Sequence, residues 1–228
     1  MLVDLQLSSA HNDWPALRDA TLQAEADGFD TTWVLDHFDG ATFAGGDRDL
    51  LECCTLLGAL AVATTTIGLG TLVANVANRH PAVLAAGLSS AYRISGGRVR
   101  AGIGAGAAPT TPWAREHHER GIPLQSRLAD RHAAVVEQIA VLRRTEPMPI
   151  IVGVNSVQLA RIAGVHADGV NVRLSSPQAA DHVAAALDAA QGRPFETSGW
   201  ADVDDHASQA KADELGLDRL ILSRLAPL

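Results

Sequence analysis

Two kinds of hydrophobic pattern alternate along the chain. Short apolar runs, often β-branched, predict strands at residues 2–7, 31–35, 67–76, 98–103, 149–154, 169–172, 196–201 and 217–223. Between them, apolar residues at helical spacing predict helices at residues 14–27, 49–63, 81–94, 127–144, 158–166, 177–191 and 204–215. Residues 39–47 and 109–123 are predicted loops, the second with a short turn. The chain is therefore expected to have eight strands separated by seven helices.

Regular alternation of strands and helices predicts a parallel sheet with right-handed crossovers. Eight such units favour a closed (β/α)8 TIM barrel, an α/β fold, over an open doubly wound sheet. The length of 228 residues lies near the lower end of the range for this barrel, and no linker is evident. We therefore expect one domain over residues 1–228, with the doubly wound sheet as the alternative.

Composition narrows the possible partners. A net charge of −8 argues against binding to nucleic acid or to an anionic membrane. No apolar stretch reaches the length of a membrane span, and the N-terminal segment lacks the basic start of a signal peptide. Cys53 and Cys54 are adjacent and cannot form a disulfide framework, so we expect a cytoplasmic protein. The histidines are scattered and no HExxH motif occurs, so no metal site is predicted.

In a TIM barrel, function lies where the strands run into the following helices. At the eight predicted strand exits stand polar or small residues: Ser8, Ser9 and His11; Asp36, His37 and Phe38; Asn75, Asn78 and Arg79; Gly104 and Gly106; Gly153, Asn155 and Ser156; Asn171 and Arg173; Ser198 and Trp200; Ser223 and Arg224. Each has a structural interpretation when taken singly. Together they favour a ligand site.

Asp36 and His37 are the sharpest of these features, because adjacent side chains at a strand end point apart. One can hold a ligand while the other acts as an acid or base, and histidine titrates near neutral pH. The structural alternatives are that Asp36 caps the next segment and that His37 packs under a loop.

Two glycine-containing segments could approach a ligand closely. The run Gly102-x-Gly104-x-Gly106 would admit a flat ring or a phosphate, but it is equally compatible with a tight turn. Residues 153–156 precede a helix, so their amides could meet a phosphate there. An N-cap role for Asn155 or Ser156 is the structural alternative.

Several segments together resemble the bacterial luciferase-like monooxygenase superfamily. They are AEADGFDTTWVLDHF, TLVANVANRHPAVLAAGLSSAYRISGGRVRAGIGAG, WAREHHERGIP and PIIVGVNSVQLARIAGVHADGVNV. Within that superfamily, the form GFD-x-x-W-x-x-DHF is most similar to oxidoreductases that depend on a deazaflavin, coenzyme F420. The resemblance implies a TIM barrel that holds a deazaflavin or flavin ring in its mouth.

The resemblance also implies roles for individual residues. Asp36 and His37 would contact the ring or act beside it, and Glu116 corresponds to the glutamate of the pattern W-x-x-E-H. A bulge within residues 71–75, often with a non-prolyl cis peptide, would lie behind the ring. The implied cofactor-binding residues are Asp36, His37, Leu72, Val73, Asn75, Gly104, Gly106, Gly153, Val154, Asn155, Ser156 and Arg173, with Arg193 and Arg224 as further cations for the cofactor tail.

One departure from the resemblance leaves the function open. Family members usually have an insertion before strand five that often covers the active site, whereas here Pro147 and Pro149 follow Arg144 almost at once. The first hypothesis is a deazaflavin-dependent oxidoreductase of a small organic substrate, with His37 moving the proton. The alternatives are an FMN-dependent monooxygenase and a non-catalytic barrel that has lost cofactor binding. A homodimer through the early helices is also expected.

Overall fold

The computed structural model describes residues 1–43, 45 and 49–228. The strands are β1 Leu2–Leu7, β2 Thr31–Val34, β3 Gly68–Thr71, β4 Ala74–Asn75, β5 Val99–Gly104, β6 Ile150–Val154, β7 Gly169–Arg173, β8 Glu196–Asp202 and β9 Arg219–Arg224. The helices are α1 Trp14–Ala26, α2 Gly40–Phe43, α3 Cys53–Ala63, α4 Pro81–Ile94, α5 Arg115–Glu119, α6 Leu128–Leu142, α7 Val157–His166, α8 Ala179–Ala190 and α9 His206–Glu214. A 3-10 turn spans Pro112–Ala114. None of the described helices has the length and hydropathy to cross a membrane.

The strands close into a parallel barrel. β1 pairs with β2 on one side and with β9 on the other, and β3 pairs with both β2 and β5. β3 and β4 are two parts of one barrel strand, interrupted at Leu72 and Val73, so the barrel has eight strands. The predicted (β/α)8 fold is confirmed. The open sheet is excluded because the first and last strands are hydrogen-bonded to each other.

The predicted elements differ from the structure at four places, one of which is the helix α2 within the loop predicted at 39–47. The third strand is broken rather than continuous over 67–76. The helix predicted from residue 49 begins at Cys53, because the Glu52 carboxylate caps it by accepting a hydrogen bond from Thr55 N at 2.7 Å. The predicted loop 109–123 contains α5, and part of the loop predicted at 39–47 lies outside the described residues. The remaining bounds agree to within two residues.

The amino-terminal half of the barrel interior is filled. The indole of Trp33 on β2 is buried there, and its Nε1 donates to Asp4 Oδ2 at 2.7 Å. Gly70 on the neighbouring strand makes room for it, since a Cβ at that position would lie 2.4 Å from the ring. The space for a ligand must therefore lie at the carboxyl ends of the strands.

A buried ionic cluster closes the amino-terminal end. The guanidinium of Arg219 on β9 lies 2.6 Å from Asp4, 2.6 Å from Asp30 and 3.5 Å from Glu196. Burial raises the pKa of Asp4 to about 6, against the opposing effects of Arg219 and Trp33. This end of the barrel is thus sealed by protein charges that satisfy one another.

Glu25 at the end of α1 fixes the turn that leads into β3. Its Oε1 accepts hydrogen bonds from Thr65 N at 2.9 Å, Thr66 N at 2.5 Å and Ile67 N at 2.9 Å. Desolvation by burial raises the pKa of Glu25, but the hydrogen bonds together outweigh it and lower this pKa from 4.5 to about 2.

Replacement of this carboxylate should have a pH-dependent effect. Glu25→Gln is expected to lower the free energy of unfolding at pH 7 by about 1 kcal/mol, with solvent screening allowed for, because an amide oxygen is the weaker acceptor. The pKa of Glu25 is lower in the folded state, so its contribution is present above pH 4.5 and is lost as the pH falls towards 2. Urea unfolding at pH 7 and pH 3.5 measures this.

The matched control is Asp19→Asn, which removes an exposed ion pair with Arg18 and should change stability little at either pH. An unfolding difference for Glu25→Gln that is the same at both pH values would contradict this account.

Candidate active site

A cleft of about 320 Å³ opens at the carboxyl ends of the strands. Its walls are Gln6, Leu35, His37, Leu72, Val73, Gly104, Ala105, Gly106, Gly153, Val154, Asn155, Leu159, Asn171, Trp200, Ser223 and Leu225. Among these described residues there is no carboxylate, ammonium or guanidinium group. Such walls suit a largely uncharged ring, with amides and hydroxyls for its polar edge.

The break in the third barrel strand shapes one wall. The peptide bond between Leu72 and Val73 is cis, within the segment where the sequence places a bulge. Gly104 and Gly153 on the next two strands accommodate the Val73 side chain, since a Cβ at either would lie 2.6 or 2.7 Å from a Val73 methyl group. Gly106 has a φ of +68° and likewise leaves room for Asn75. These glycines therefore line the cleft and also let the bulge pack.

A chain of hydrogen bonds crosses the base of the cleft. Ser223 Oγ donates to Gln6 Oε1 at 2.7 Å, and Gln6 Nε2 donates to the Leu72 carbonyl at 2.6 Å. The carbonyl of the cis peptide is thereby held from β1, two strands away around the barrel. Sequence reasoning missed Gln6, although a lone amide inside an apolar strand is the kind of signal that could have found it.

Glu116 orients His37. The carboxylate is fully buried and lies 2.7 Å from His37 Nδ1, while its other oxygen accepts from Phe38 N at 2.7 Å and Asp39 N at 3.3 Å. Burial raises the pKa of Glu116, but His37 and the two backbone donors outweigh it and hold this pKa below its usual value. The ionised carboxylate accepts a hydrogen bond from Nδ1, so Nε2 is the ring nitrogen that does not contact Glu116.

The next residue in α5 holds the third strand exit. Nε2 of His117 lies 2.7 Å from Asn78 Oδ1 and 3.1 Å from Asn75 Nδ2. Burial lowers the pKa of His117, so the ring is neutral. One turn of α5 thus connects the segments that follow β2 and β4.

A second pocket of about 400 Å³ adjoins the cleft and shares Val154 and Asn155 with it. Its other walls are Arg173, Ser175, Ser176, Pro177 and His182. Arg173 lies 5.1 Å from the centre of the Trp200 ring and donates from Nε to Ser175 Oγ at 2.8 Å. A guanidinium beside hydroxyl groups suits an anionic ligand.

The other expected tail residues lie apart from this pocket. Ser156 is the N-cap of α7, accepting from Leu159 N, as its structural interpretation predicted. The guanidinium of Arg193 is bound to the carbonyl groups of Gly164 and Ala167, and Arg224 is an exposed residue at the end of β9. Of the three expected cations, only Arg173 lines the second pocket.

Comparison with known proteins identifies the family. Residues 3–203 match the family model for luciferase-like monooxygenases. The chain belongs to this family. Its relatives include 5,10-methylenetetrahydromethanopterin reductase of Methanolobus tindarius, 28% identical over 211 residues, which cover 83% of this chain and 62% of the relative. F420-dependent glucose-6-phosphate dehydrogenase of Intrasporangium calvum is 30% identical over 176 residues, 67% of this chain and 52% of the relative.

Solved structures show the same fold as this luciferase-like protein. An F420-dependent secondary alcohol dehydrogenase with an F420–acetone adduct superposes with a TM-score of 0.73 at 17% identity, over 94% of this chain and 73% of that one. The F420-dependent tetrahydromethanopterin reductase of Methanopyrus kandleri gives 0.69 at 18% identity, over 94% and 71%. The matched part of this chain covers 62% of the length of the Methanolobus tindarius reductase and 52% of the length of the Intrasporangium calvum dehydrogenase. In the structure, only residues 143–149 connect α6 to β6.

The luciferase-like protein holds Asp36 away from the cleft. Its carboxylate forms two bonds to Arg79, at 2.7 and 2.8 Å, and accepts Asn75 N at 2.9 Å. Arg79 also pairs with Glu52 at the start of α3. The expected catalytic or ring-binding role of Asp36 stays a prediction. In this geometry the residue joins β2, β4 and α3 beneath the mouth.

Proposed function

We propose that this luciferase-like protein is an oxidoreductase that binds the deazaflavin coenzyme F420 and transfers a hydride between it and a small organic substrate. The observation that carries the proposal is the continuity of an uncharged cleft with an arginine-bearing pocket, beside a buried-carboxylate and histidine pair. A deazaflavin has the matching form, a flat ring joined to an anionic tail. The F420-dependent relatives support this choice of ring.

The residues of the cleft fit the ring. Leu72 and Val73 offer an apolar surface on the bulge, while Asn171 and Ser223 place an amide and a hydroxyl on the walls. Asn171 Nδ2 is held by Ser198 Oγ at 3.0 Å, so its carbonyl oxygen has a fixed direction. A planar ring would gain apolar burial on one face and hydrogen bonds at its polar edge.

The second pocket fits the tail. Arg173 would pair with a phosphate, and the hydroxyls of Ser175 and Ser176 would donate to it. Gly153, Val154 and Asn155 line the cleft, and Val154 and Asn155 also line the second pocket. They lead through the N-cap Ser156 into α7, whose amino terminus favours an anion. These are the residues expected from the resemblance to contact the cofactor.

When bound, the deazaflavin supplies or accepts the hydride, and the protein provides orientation and the proton. His37 lines the cleft, and Glu116 fixes its tautomer. His37 Nε2 would therefore give a proton to the substrate, or take one from it, as the hydride moves. Glu116 acts through His37 and is a positioning residue in this proposal.

Coenzyme titration tests the proposal. Isothermal calorimetry should give micromolar affinity for F420 and much weaker affinity for FMN. Arg173→Met should weaken F420 at least tenfold, because the anionic tail loses its cation. The same variant should bind the deazaflavin chromophore that lacks the phosphate as the wild type does. Arg224→Met is the matched control and should leave both affinities unchanged.

Other outcomes would overturn the proposal. Binding of FMN alone would favour the monooxygenase alternative, and binding of neither coenzyme would favour a barrel that has lost its cofactor. An equal effect of Arg173→Met on F420 and on the phosphate-free chromophore would remove the assignment of the second pocket.

Steady-state kinetics distinguish the role of His37 from that of Glu116. With any substrate that supports oxidation of reduced F420, His37→Ala should lower kcat by roughly 10²–10⁴, the range for loss of a general acid or base. Glu116→Gln should lower kcat by about tenfold with little change in KM, because the histidine loses its anionic partner. Glu119→Gln alters an exposed residue of the same helix and is the control. Full activity of His37→Ala would contradict the role of His37.

We also propose that the chain pairs with a second copy through α3 and α4. Cys54 packs closely against Gly87, so the small residues between these helices serve contacts within the chain. Their outer faces nevertheless expose Val62 and Val83, which are 76% and 58% accessible, and α3 carries no charged residue. An uncharged apolar face of this kind is typical of an interface between copies.

The expected oligomer is a dimer that Val62→Asp converts to a monomer, because a buried carboxylate would have no partner. Light scattering after gel filtration measures the mass. Val165→Asp, on α7, is the control for a new surface charge. A monomeric wild-type protein would exclude the dimer.

A further inference from the structure

Trp113 stands at the mouth of the cleft beside His37. Its side chain is 47% exposed, and the centres of the two rings are 6.2 Å apart with their planes tilted by 47°. The residues around it in the chain are anchored, since Ala114 and Glu116 are fully buried. The indole is therefore held at this place by a fixed backbone.

The turn that carries Trp113 is also ordered by its own hydrogen bonds. Thr111 N and Oγ1 both bond to the Ala108 carbonyl, at 3.1 and 2.8 Å, and Ala114 N donates to the Thr111 carbonyl at 3.0 Å. A preorganised aromatic side chain loses little conformational freedom when a ligand covers it, so most of the gain from burial is kept.

The walls of the cleft that His37 lines indicate the chemistry of a ligand that reaches both His37 and Trp113. The cleft beside it has no charged wall residue in the described part of the chain, and the cationic Arg173 belongs to the adjoining pocket. An anionic substrate would thus find no counter-charge on the walls next to His37. An indole face favours flat conjugated rings, which stack on it, over saturated rings of equal size.

We infer that Trp113 is a specificity-determining residue that selects planar, uncharged, conjugated ring compounds as substrates. The inference rests on the proposed function, because only an oxidoreductase would use such a compound as its substrate. The stacking preference itself requires only the position of Trp113 beside the cleft.

Calorimetry with two uncharged bicyclic probes tests the inference. Menadione is planar and conjugated, and 1-decalone is a saturated ketone of similar size. Each is titrated into the full chain, with and without oxidised F420. The wild type should bind menadione at least tenfold more tightly than 1-decalone. Trp113→Ala should weaken menadione about tenfold and leave 1-decalone nearly unchanged. Trp113→Phe should retain most of the affinity.

Val165→Ala removes an equally exposed apolar side chain on α7 and should change neither affinity. Equal effects of Trp113→Ala on both probes, or none on menadione, would overturn the inference. So would loss of F420 binding in Trp113→Ala, because Trp113 would then support the coenzyme or the fold. If the wild type binds no F420 but binds menadione through Trp113, the proposed function fails while the stacking inference stands.

Discussion

The arrangement of the mouth depends on one buried carboxylate. Glu116 is fully enclosed, and an enclosed carboxylate is tolerated only when its oxygens are hydrogen-bonded. Its partners are the ring of His37 and the backbone amides of Phe38 and Asp39, all just beyond β2. A five-residue helix would not persist on its own. Tertiary contacts with the barrel therefore hold α5 in place, and α5 in turn holds the imidazole.

The same short helix links a second strand exit to the first. Nε2 of His117 lies within hydrogen-bond distance of Asn75 and Asn78, so the segment after the cis peptide contacts α5 as the segment after β2 does. Asp36 adds to these contacts, because its carboxylate accepts hydrogen bonds from Arg79 and from the backbone amide of Asn75. The histidine, the bulge and the exposed Trp113 consequently form one rigid side of the cleft.

Bulky and charged side chains fill one end of the barrel interior and leave the other end open. The open end is the candidate ligand site. Trp33 and the Arg219 cluster occupy the amino-terminal half, where Gly70 leaves room for the indole. Towards the carboxyl ends, glycines accept the Val73 side chain and the remaining space stays open. The walls of that space are uncharged, whereas Arg173 lies in the adjoining pocket. The site therefore offers a ligand one uncharged part and one part that carries a cation.

The sequence by itself determined the barrel and the position of its mouth. Short apolar runs indicate strands and helical periodicity indicates helices, and eight such units leave few ways to close a sheet. The motif resemblance located a bulge within residues 71–75, where the cis peptide lies, and it named His37 and Glu116, which the structure pairs. For Asp36, Arg193 and Arg224, the sequence showed the type of side chain but not the residues that each side chain contacts.

Only the tertiary structure decided those partners. Asp36 pairs with a residue 43 positions away and Glu116 with one 79 positions away, and Gln6 reaches a carbonyl 66 positions along the chain. Local spacing carries no information on such pairs, since they exist only after the barrel closes. The apolar pattern missed the helix α5 and ran the third strand through Leu72–Val73, where only the motif resemblance indicated a bulge. Both features are too short to have a period, and contacts from other elements stabilise them.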